Sequence, residues 1–366
     1  MTRLSAGLYI HRLVESATGV QRYAVELAAG LAALDGIDVT LLTGTDETNG
    51  RGAAVPVTAL AGNGRRRHMQ WALLHRPMLE KLVTGYDVVH LVTPAFPLPT
   101  RAPLIVTVHD LLPFEHPEWY ERGPRWAFGR AISYAADHAV KIIVPSGVVG
   151  RQVVELAGVE PDRVVVVPEG VTERVAPSGN AGSPGSSAER PYLLAVGALI
   201  ERKNLTIVID ALAKLDPHEA PDLMIVGDGE HRAALEQAIE SRGLVGRIRL
   251  LGRVCDDELV GLLAGALGLV HPALFEGFGL TTVEAMRAGV PVLASTAGSL
   301  PEVVGDAGVL LDPRDSDAWA SAIQRVASDE DWRRELVARG RDRAVAFTWE
   351  RAARLTAEVY EAATRR

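Results

Sequence analysis

The chain of 366 residues holds a single cysteine, Cys255, so no disulfide can form within it, which fits a reducing compartment. Long apolar runs are missing too. The opening stretch MTRLSAGLYIHRL is too short in apolar residues for a secretory leader. No stretch approaches the roughly 18 uncharged apolar residues of a membrane span. A cytoplasmic protein with at most peripheral membrane contact is therefore expected. Positive charge is in deficit: the formal net charge is −8, which excludes duplex nucleic acid as a main partner. Lysine is scarcer still, since of 38 basic residues only Lys81, Lys141, Lys203 and Lys214 are lysines. No Asp-x-Asp closes a strand and no Cys/His cluster occurs, so no metal cage is expected.

What is present is a repeated alternation. Short β-branched runs recur, among them YDVVHLV (86–92), PLIVTVHD (103–110), VKIIVPS (140–146) and RVVVVPEG (163–170). The second half adds YLLAVGAL (192–199), DLMIVGDG (222–229), RIRLLGRV (247–254), LGLVHPAL (267–274) and VPVLAST (290–296). Continuous apolar strands are those covered on both faces, as in parallel sheets, and their alternation with amphipathic segments implies βαβ units. One such segment sets Val20, Tyr23, Leu27, Leu31 and Leu34 on a single stripe. The Ser/Gly/Pro-rich stretch TERVAPSGNAGSPGSSAER (172–190) separates the halves. The expected organisation is α/β: a doubly wound domain over 1–171, a flexible linker over 172–190, and a second doubly wound domain over 191–348. A C-terminal helix over 349–366 could pack on either domain. Ligands of such sheets bind beyond the carboxyl ends of strands, so a cleft there should carry the chemistry.

The stretch LFEGFGLTTVEAMRAGVPVLAS (274–295) is the most informative. Glu276 and Glu284 bracket a Gly-Phe-Gly turn. Thr281 to Glu284 reads as a Thr-x-x-Glu capping box and Gly289 as a C-cap, giving a helix of about two turns. Unpaired amides and the dipole at that helix start suit an anion, a diphosphate above all, and Gly277 and Gly279 let main chain approach it. The plainer alternative is that Glu284 only caps its helix and Glu276 is solvated. A second stretch, VGALIERKN (196–204), places Gly197 at a strand end and the adjacent cations Arg202 and Lys203 after it. Two positive charges beside a departing diphosphate stabilise its growing negative charge; a solvated basic pair is the alternative. In TVHDLLPFEHPEW (107–119), His109 and Asp110 fall at a strand end, where an imidazole can donate to a hydroxyl or serve a structural role.

The segment HPALFEGFGLTTVEAMRAGVPVLAS resembles the Glu-x7-Glu motif of retaining glycosyltransferases of family 4, which have the GT-B fold of two Rossmann-like domains facing across a cleft. The resemblance covers nearly the whole chain and is strongest from 192 to 313. It implies an acceptor-binding N-terminal domain and a C-terminal domain that binds a nucleotide sugar. It implies that Glu276 contacts donor-sugar hydroxyls, that Glu284 bonds the ribose, and that the amides of Leu280 and Thr281, with Gly277, Phe278 and Gly279, hold the diphosphate. Arg202 and Lys203 match the family's cationic pair, although Ala198 stands where some relatives carry an arginine. His109 matches a histidine that contacts the donor sugar. Gly19, in SATGVQRYAVEL (16–27), matches a loop that closes over the diphosphate. Gly227 in VGDGEHR and the backbone of Val254 fall in segments near the nucleotide.

The resemblance implies a hexosyltransferase that needs no metal or other cofactor beyond its nucleotide-sugar substrate. GDP-mannose is the preferred donor, because VGALIERKN with TVHDLLP resembles the mannosyl-transferring branch. UDP-glucose and UDP-N-acetylglucosamine are alternatives, and glycan, lipid-carrier and natural-product acceptors all stay open. A nucleotide-sugar epimerase and a catalytically silent sugar-nucleotide binding protein are the rivals from other classes.

Overall fold

The computed structural model describes residues 3–11, 19–44, 55–60, 69–71, 73–74, 76–83, 85–94, 98–120, 122–172 and 190–365. The expected linker lies almost wholly outside the described residues. The chain forms two compact units, Met1–Gly170 with Thr348–Arg366, and Val171–Phe347.

The first unit is built on β1 (Leu4–Ile10), β2 (Ile37–Thr43), β3 (Val57–Ala59), β4 (Val88–Leu91), β5 (Leu104–Thr107), β6 (Lys141–Val144) and β7 (Val164–Val166). They form one parallel sheet in the order β3-β2-β1-β4-β5-β6-β7. Every residue of β4 and β5 is buried, as expected of strands covered by helices on both faces. The apolar stripe of the helix Gly19–Ala32 (Tyr23, Leu27 and Leu31) is buried against this sheet.

The helix Trp349–Thr364 belongs to this unit. Its start is capped by Thr348, whose hydroxyl accepts from the amide of Arg351. It packs so closely on the first helix that a Cβ on Gly30 would stand 3.0 Å from that of Ala353. Its Tyr360 is fully buried and reaches His90 Nδ1 at 2.7 Å. His90 Nε2 meets Thr107 Oγ1 at 2.7 Å, and that hydroxyl meets Tyr23 Oη at 3.1 Å. Two polar groups inside apolar strands are thereby satisfied by this network. Burial, then the neighbouring His109, pushes the His90 imidazole down to about 3, so it is neutral in neutral solution.

The second unit carries β8 (Tyr192–Val196), β9 (Asp222–Val226), β10 (Ile248–Gly252), β11 (Gly268–His271), β12 (Val292–Ser295) and β13 (Val309–Leu311). They pair in parallel in the order β10-β9-β8-β11-β12-β13. In both sheets the winding reverses beside the first strand, between β1 and β4 and between β8 and β11. Such a reversal opens a crevice at the strand carboxyl ends. In the second unit those ends are Val196 and His271. Among the described residues no helix is long and apolar enough to cross a membrane.

Candidate functional site

Two loops leave the second sheet at this reversal. The loop after β8 starts at Gly197 and makes a 3-10 turn over Glu201–Lys203, which Asn204 ends in the left-handed region at φ 52°. The loop after β11 runs from Pro272 to Gly279. The two are tied together. Leu274 N donates to Arg202 O at 2.8 Å, Arg202 Nη1 donates to Phe275 O at 2.6 Å, and Asn204 Nδ2 donates to Pro272 O at 3.1 Å. The turn at Ala297–Ser299 grips the same loop from the other side: Ser299 N and Oγ both donate to Glu276 O, at 2.9 and 3.0 Å.

Glu276 is the centre of this assembly, with its side chain 12% exposed. Lys203 Nζ donates to its Oε1, Arg202 Nη1 lies 3.4 Å from the same oxygen, and His271 Nε2 lies 3.2 Å from it. Burial pushes the carboxyl upward, but the Lys203 charge, the His271 hydrogen bond and the Arg202 charge hold it well below the usual carboxylate range. Three donors thus converge on Oε1. Among the described residues no hydrogen bond falls on Oε2.

The helix Leu280–Ala288 starts directly after this loop. The first-turn amides of Leu280 and Thr281 have no carbonyl within the helix to donate to. The capping-box expectation is corrected: the N-cap is Gly279, in the left-handed region at φ 95°, and Thr281 already lies inside the helix. The Thr281 hydroxyl instead meets His271 Nδ1 at 3.1 Å. Gly289 does end the helix, at φ 75°.

Other expected positions are distributed as follows. Glu284 lies half-buried one turn into the helix, Gly277 in the turn, and Val254 half-buried between β10 and the helix Asp256–Gly265. Phe278 lies in the turn with its ring buried edge-on against Phe347, centroids 5.6 Å apart, so only its main chain can face a ligand. Gly227 has a packing reason for lacking a side chain, since a Cβ there would run into the carbonyl oxygen of Gly197. A Cβ on Gly197 would meet the Lys203 side chain at 3.4 Å. Gly19 begins the first helix of the first unit with nothing within 4 Å of a Cβ; the loop before it lies outside the described residues.

In the first unit, His109 stands just past β5 with both ring nitrogens engaged. Nε2 lies 2.9 Å from Val92 O, past β4, and Nδ1 lies 2.8 Å from Glu169 Oε1. Its ring packs edge-on against Tyr23, centroids 4.8 Å apart. No ring nitrogen is therefore left over for a sugar hydroxyl in this state. Burial pulls the imidazolium down, but the hydrogen bond and charge of Glu169, the Val92 carbonyl and Asp110 more than offset it, and the net shift is upward.

The sign follows from linkage. A folded value above the ordinary 6.5 gives stability that is complete below 6.5 and is lost as pH rises through the folded value. Glu169→Gln is expected to lower stability by about 1–3 kcal/mol at pH 6, with the deficit shrinking at alkaline pH. Thermal unfolding across pH reads this; a deficit independent of pH would remove the charged pairing.

His271 and Glu169 carry only weak signals in the sequence. His271 was visible as the last residue of an apolar strand, five positions before Glu276. Glu169 was visible as an acid at the end of RVVVVPEG.

With this geometry in place, comparison with known proteins is decisive for the family. Residues 180–343 match the model of glycosyl transferases group 1, and residues 17–174 match that of glycosyltransferase family 4. O-antigen chain mannosyltransferase B of Escherichia coli is 33% identical over 277 residues, spanning 73% of this chain and 73% of that protein. The MMP alpha-(1->4)-mannosyltransferase of Mycolicibacterium hassiacum is 30% identical over 278 residues, 72% of this chain and 66% of that protein. Among solved structures, Anabaena Alr3699/HepE in complex with UDP and glucose superimposes with a TM-score of 0.79 at 21% identity, covering 98% of this chain and 100% of that one. Sucrose-phosphate synthase from Thermosynechococcus elongatus gives a TM-score of 0.77 at 23% identity, covering 98% and 99%. The two-sheet architecture is the GT-B fold. The chain belongs to the family 4 glycosyltransferases of the group 1 type, and it is a hexosyltransferase related to mannosyltransferases.

Proposed function

We propose that the chain transfers a hexosyl unit, mannose from GDP-mannose, to an acceptor hydroxyl with retention of anomeric configuration. The observation that carries this reading is the gathering of Glu276, Lys203 and Arg202 at the sheet reversal, directly before the helix start at Leu280. The mannosyl assignment rests on the two mannosyltransferase relatives. The bond from the anomeric carbon to the β-phosphate oxygen breaks, and its electron pair stays on the departing diphosphate. The acceptor oxygen bonds the same face of that carbon, and its proton passes to the diphosphate. The products are the glycoside and the nucleoside diphosphate.

Glu276 Oε2 receives a sugar hydroxyl, and Glu284 receives the ribose. The amides of Leu280 and Thr281 hold the diphosphate, with Gly277 and Gly279 beside it. Lys203 and Arg202, held in the ground state by Oε1, stabilise the charge that develops on the leaving group. Diphosphate charge is met by these cations and amides, so the reading requires no metal and no cofactor besides the donor. Contact between His109 and the sugar requires the imidazole to exchange its bond to Val92 on donor binding.

Incubation with GDP-mannose, UDP-glucose and UDP-N-acetylglucosamine tests the reading. GDP release from GDP-mannose that rises with added acceptor, and an α-glycosidic product by NMR, are expected. Release from a UDP-sugar alone would overturn the donor, and an inverted product would overturn the stereochemistry.

A further inference from the structure

His271 closes β11 with its side chain 3% exposed, and both of its nitrogens meet residues of the candidate site. Nε2 lies 3.2 Å from Glu276 Oε1 and Nδ1 lies 3.1 Å from Thr281 Oγ1. These three residues stand at the strand end, in the loop and in the first turn of the helix. We propose that His271 is a positioning residue: its Nε2–H fixes the Glu276 carboxylate so that Oε2 is presented to the donor sugar, while Thr281 selects the tautomer that makes this possible. The inference rests on the reading of Glu276 as the sugar-contacting carboxylate.

The proton assignment follows from the partners. An ionised carboxylate only accepts hydrogen bonds, so the nitrogen facing Glu276 must carry a proton. Burial, together with the Lys203 and Arg202 charges, outweighs the pull of Glu276 and keeps the ring below its ordinary 6.5, so it is neutral in neutral solution. A neutral ring with Nε2–H has a bare Nδ1, and the Thr281 hydroxyl donates to it. No ring nitrogen is left for substrate, so His271 acts through Glu276. A histidine kept only for packing would not need partners of this kind, since an apolar side chain fills such a place without the cost of burying two polar nitrogens.

The arrangement has a consequence for the reaction. The hydroxyl of Thr281 reports on the helix turn whose amides face the diphosphate, and the carboxylate of Glu276 faces the sugar. One imidazole therefore fixes the relative placement of the groups on either side of the bond that breaks. A misplacement of about 1 Å at a reacting centre costs on the order of a hundredfold in rate.

The test uses the full chain, with nucleotide release from GDP-mannose and from UDP-glucose, calorimetric binding of GDP and UDP, and thermal unfolding as the folding check. His271→Gln places an amide donor near the Nε2 position and is expected to stay within about tenfold of wild-type kcat. His271→Leu is expected to lose about a hundredfold in kcat with KM changed only a few-fold. Thr281→Val keeps its backbone amide, so nucleotide binding is retained while kcat falls about tenfold. The 15N spectrum of histidine-labelled protein is expected to show His271 as the neutral Nε2–H tautomer, and Thr281→Val to dilute that signature.

Equal activity of folded His271→Leu and His271→Gln overturns the proposal, as does a wild-type spectrum showing imidazolium or Nδ1–H. If His271→Leu does not fold, the wild-type spectrum and Thr281→Val decide. Loss of turnover in Glu276→Gln together with full turnover in His271→Leu sinks this inference alone. Full turnover in Glu276→Gln sinks the reading beneath it.

Discussion

Replacing Glu276 by glutamine is expected to cut nucleotide-sugar turnover by about a thousandfold while leaving nucleotide binding within a factor of about three. The substitution preserves shape and removes charge. Lys203 and Arg202 lose the negative charge on which both converge, and the Oε2 position offered to the sugar becomes an amide NH2 that donates instead of accepting. The loss falls on kcat because the nucleotide is held by other groups, namely the amides of Leu280 and Thr281 and the side chain of Glu284 on the proposed reading. Stability moves in the same variant. A carboxylate held well below its ordinary value contributes stability that is present above the unfolded value of 4.5 and is lost as pH falls through the folded value. Glu276→Gln is therefore expected to be less stable than wild type at pH 7, by about 2–3 kcal/mol, because it leaves a largely buried lysine unpaired. The gap should close in acid below pH 4.5. Steady-state kinetics, calorimetry with GDP and UDP, and thermal unfolding across pH check the three parts. Unchanged turnover removes Glu276 from the mechanism.

The fold was legible because its strands carry their own signal. VVHL of β4, LIVT of β5 and GLVH of β11 are buried throughout, and only a sheet covered on both faces tolerates such runs. Glu276, Arg202 and Lys203 were legible because charge beside a glycine turn has few structural uses, and because lysine is rare in this chain. The partners of these groups were not legible. Glu169 reaches His109 across 60 positions of sequence, and nothing local in VPEG distinguishes it from a solvated acid. His271 has the composition of a buried strand end, and only the turn of the following loop brings Glu276 back to it. The helix start misled for a physical reason. Thr-x-x-Glu fits a capping box by spacing, yet the left-handed Gly279 takes the N-cap position and Thr281 falls inside the helix, with its hydroxyl on His271. The ring of Phe278 packs into the core, a placement that its position between two glycines does not announce.

Gly298→Ala is expected to damage both the stability and the turnover of the site through a single added methyl. Gly298 sits at φ 58°, which costs an alanine roughly 1–2 kcal/mol by itself. A Cβ there would stand 2.7 Å from the backbone nitrogen of Glu276 and closer still to its carbonyl oxygen. Those atoms are main chain and cannot swing aside, so either the Ala297–Ser299 turn or the Glu276 loop must move. Movement breaks the two bonds from Ser299 to Glu276 O and tilts the carboxylate away from Lys203 and His271. Strain and lost hydrogen bonds together amount to about 2–4 kcal/mol, which lowers the unfolding midpoint by about 5–10 °C. The displaced carboxylate costs about a hundredfold in kcat. Gly243→Ala is the control in the same unit: its φ is 68°, but nothing lies within 4 Å of the added methyl. That variant should pay only the backbone strain and keep full turnover. If Gly298→Ala matches Gly243→Ala in both midpoint and kcat, then the grip of this turn on Glu276 does not set the geometry of the site.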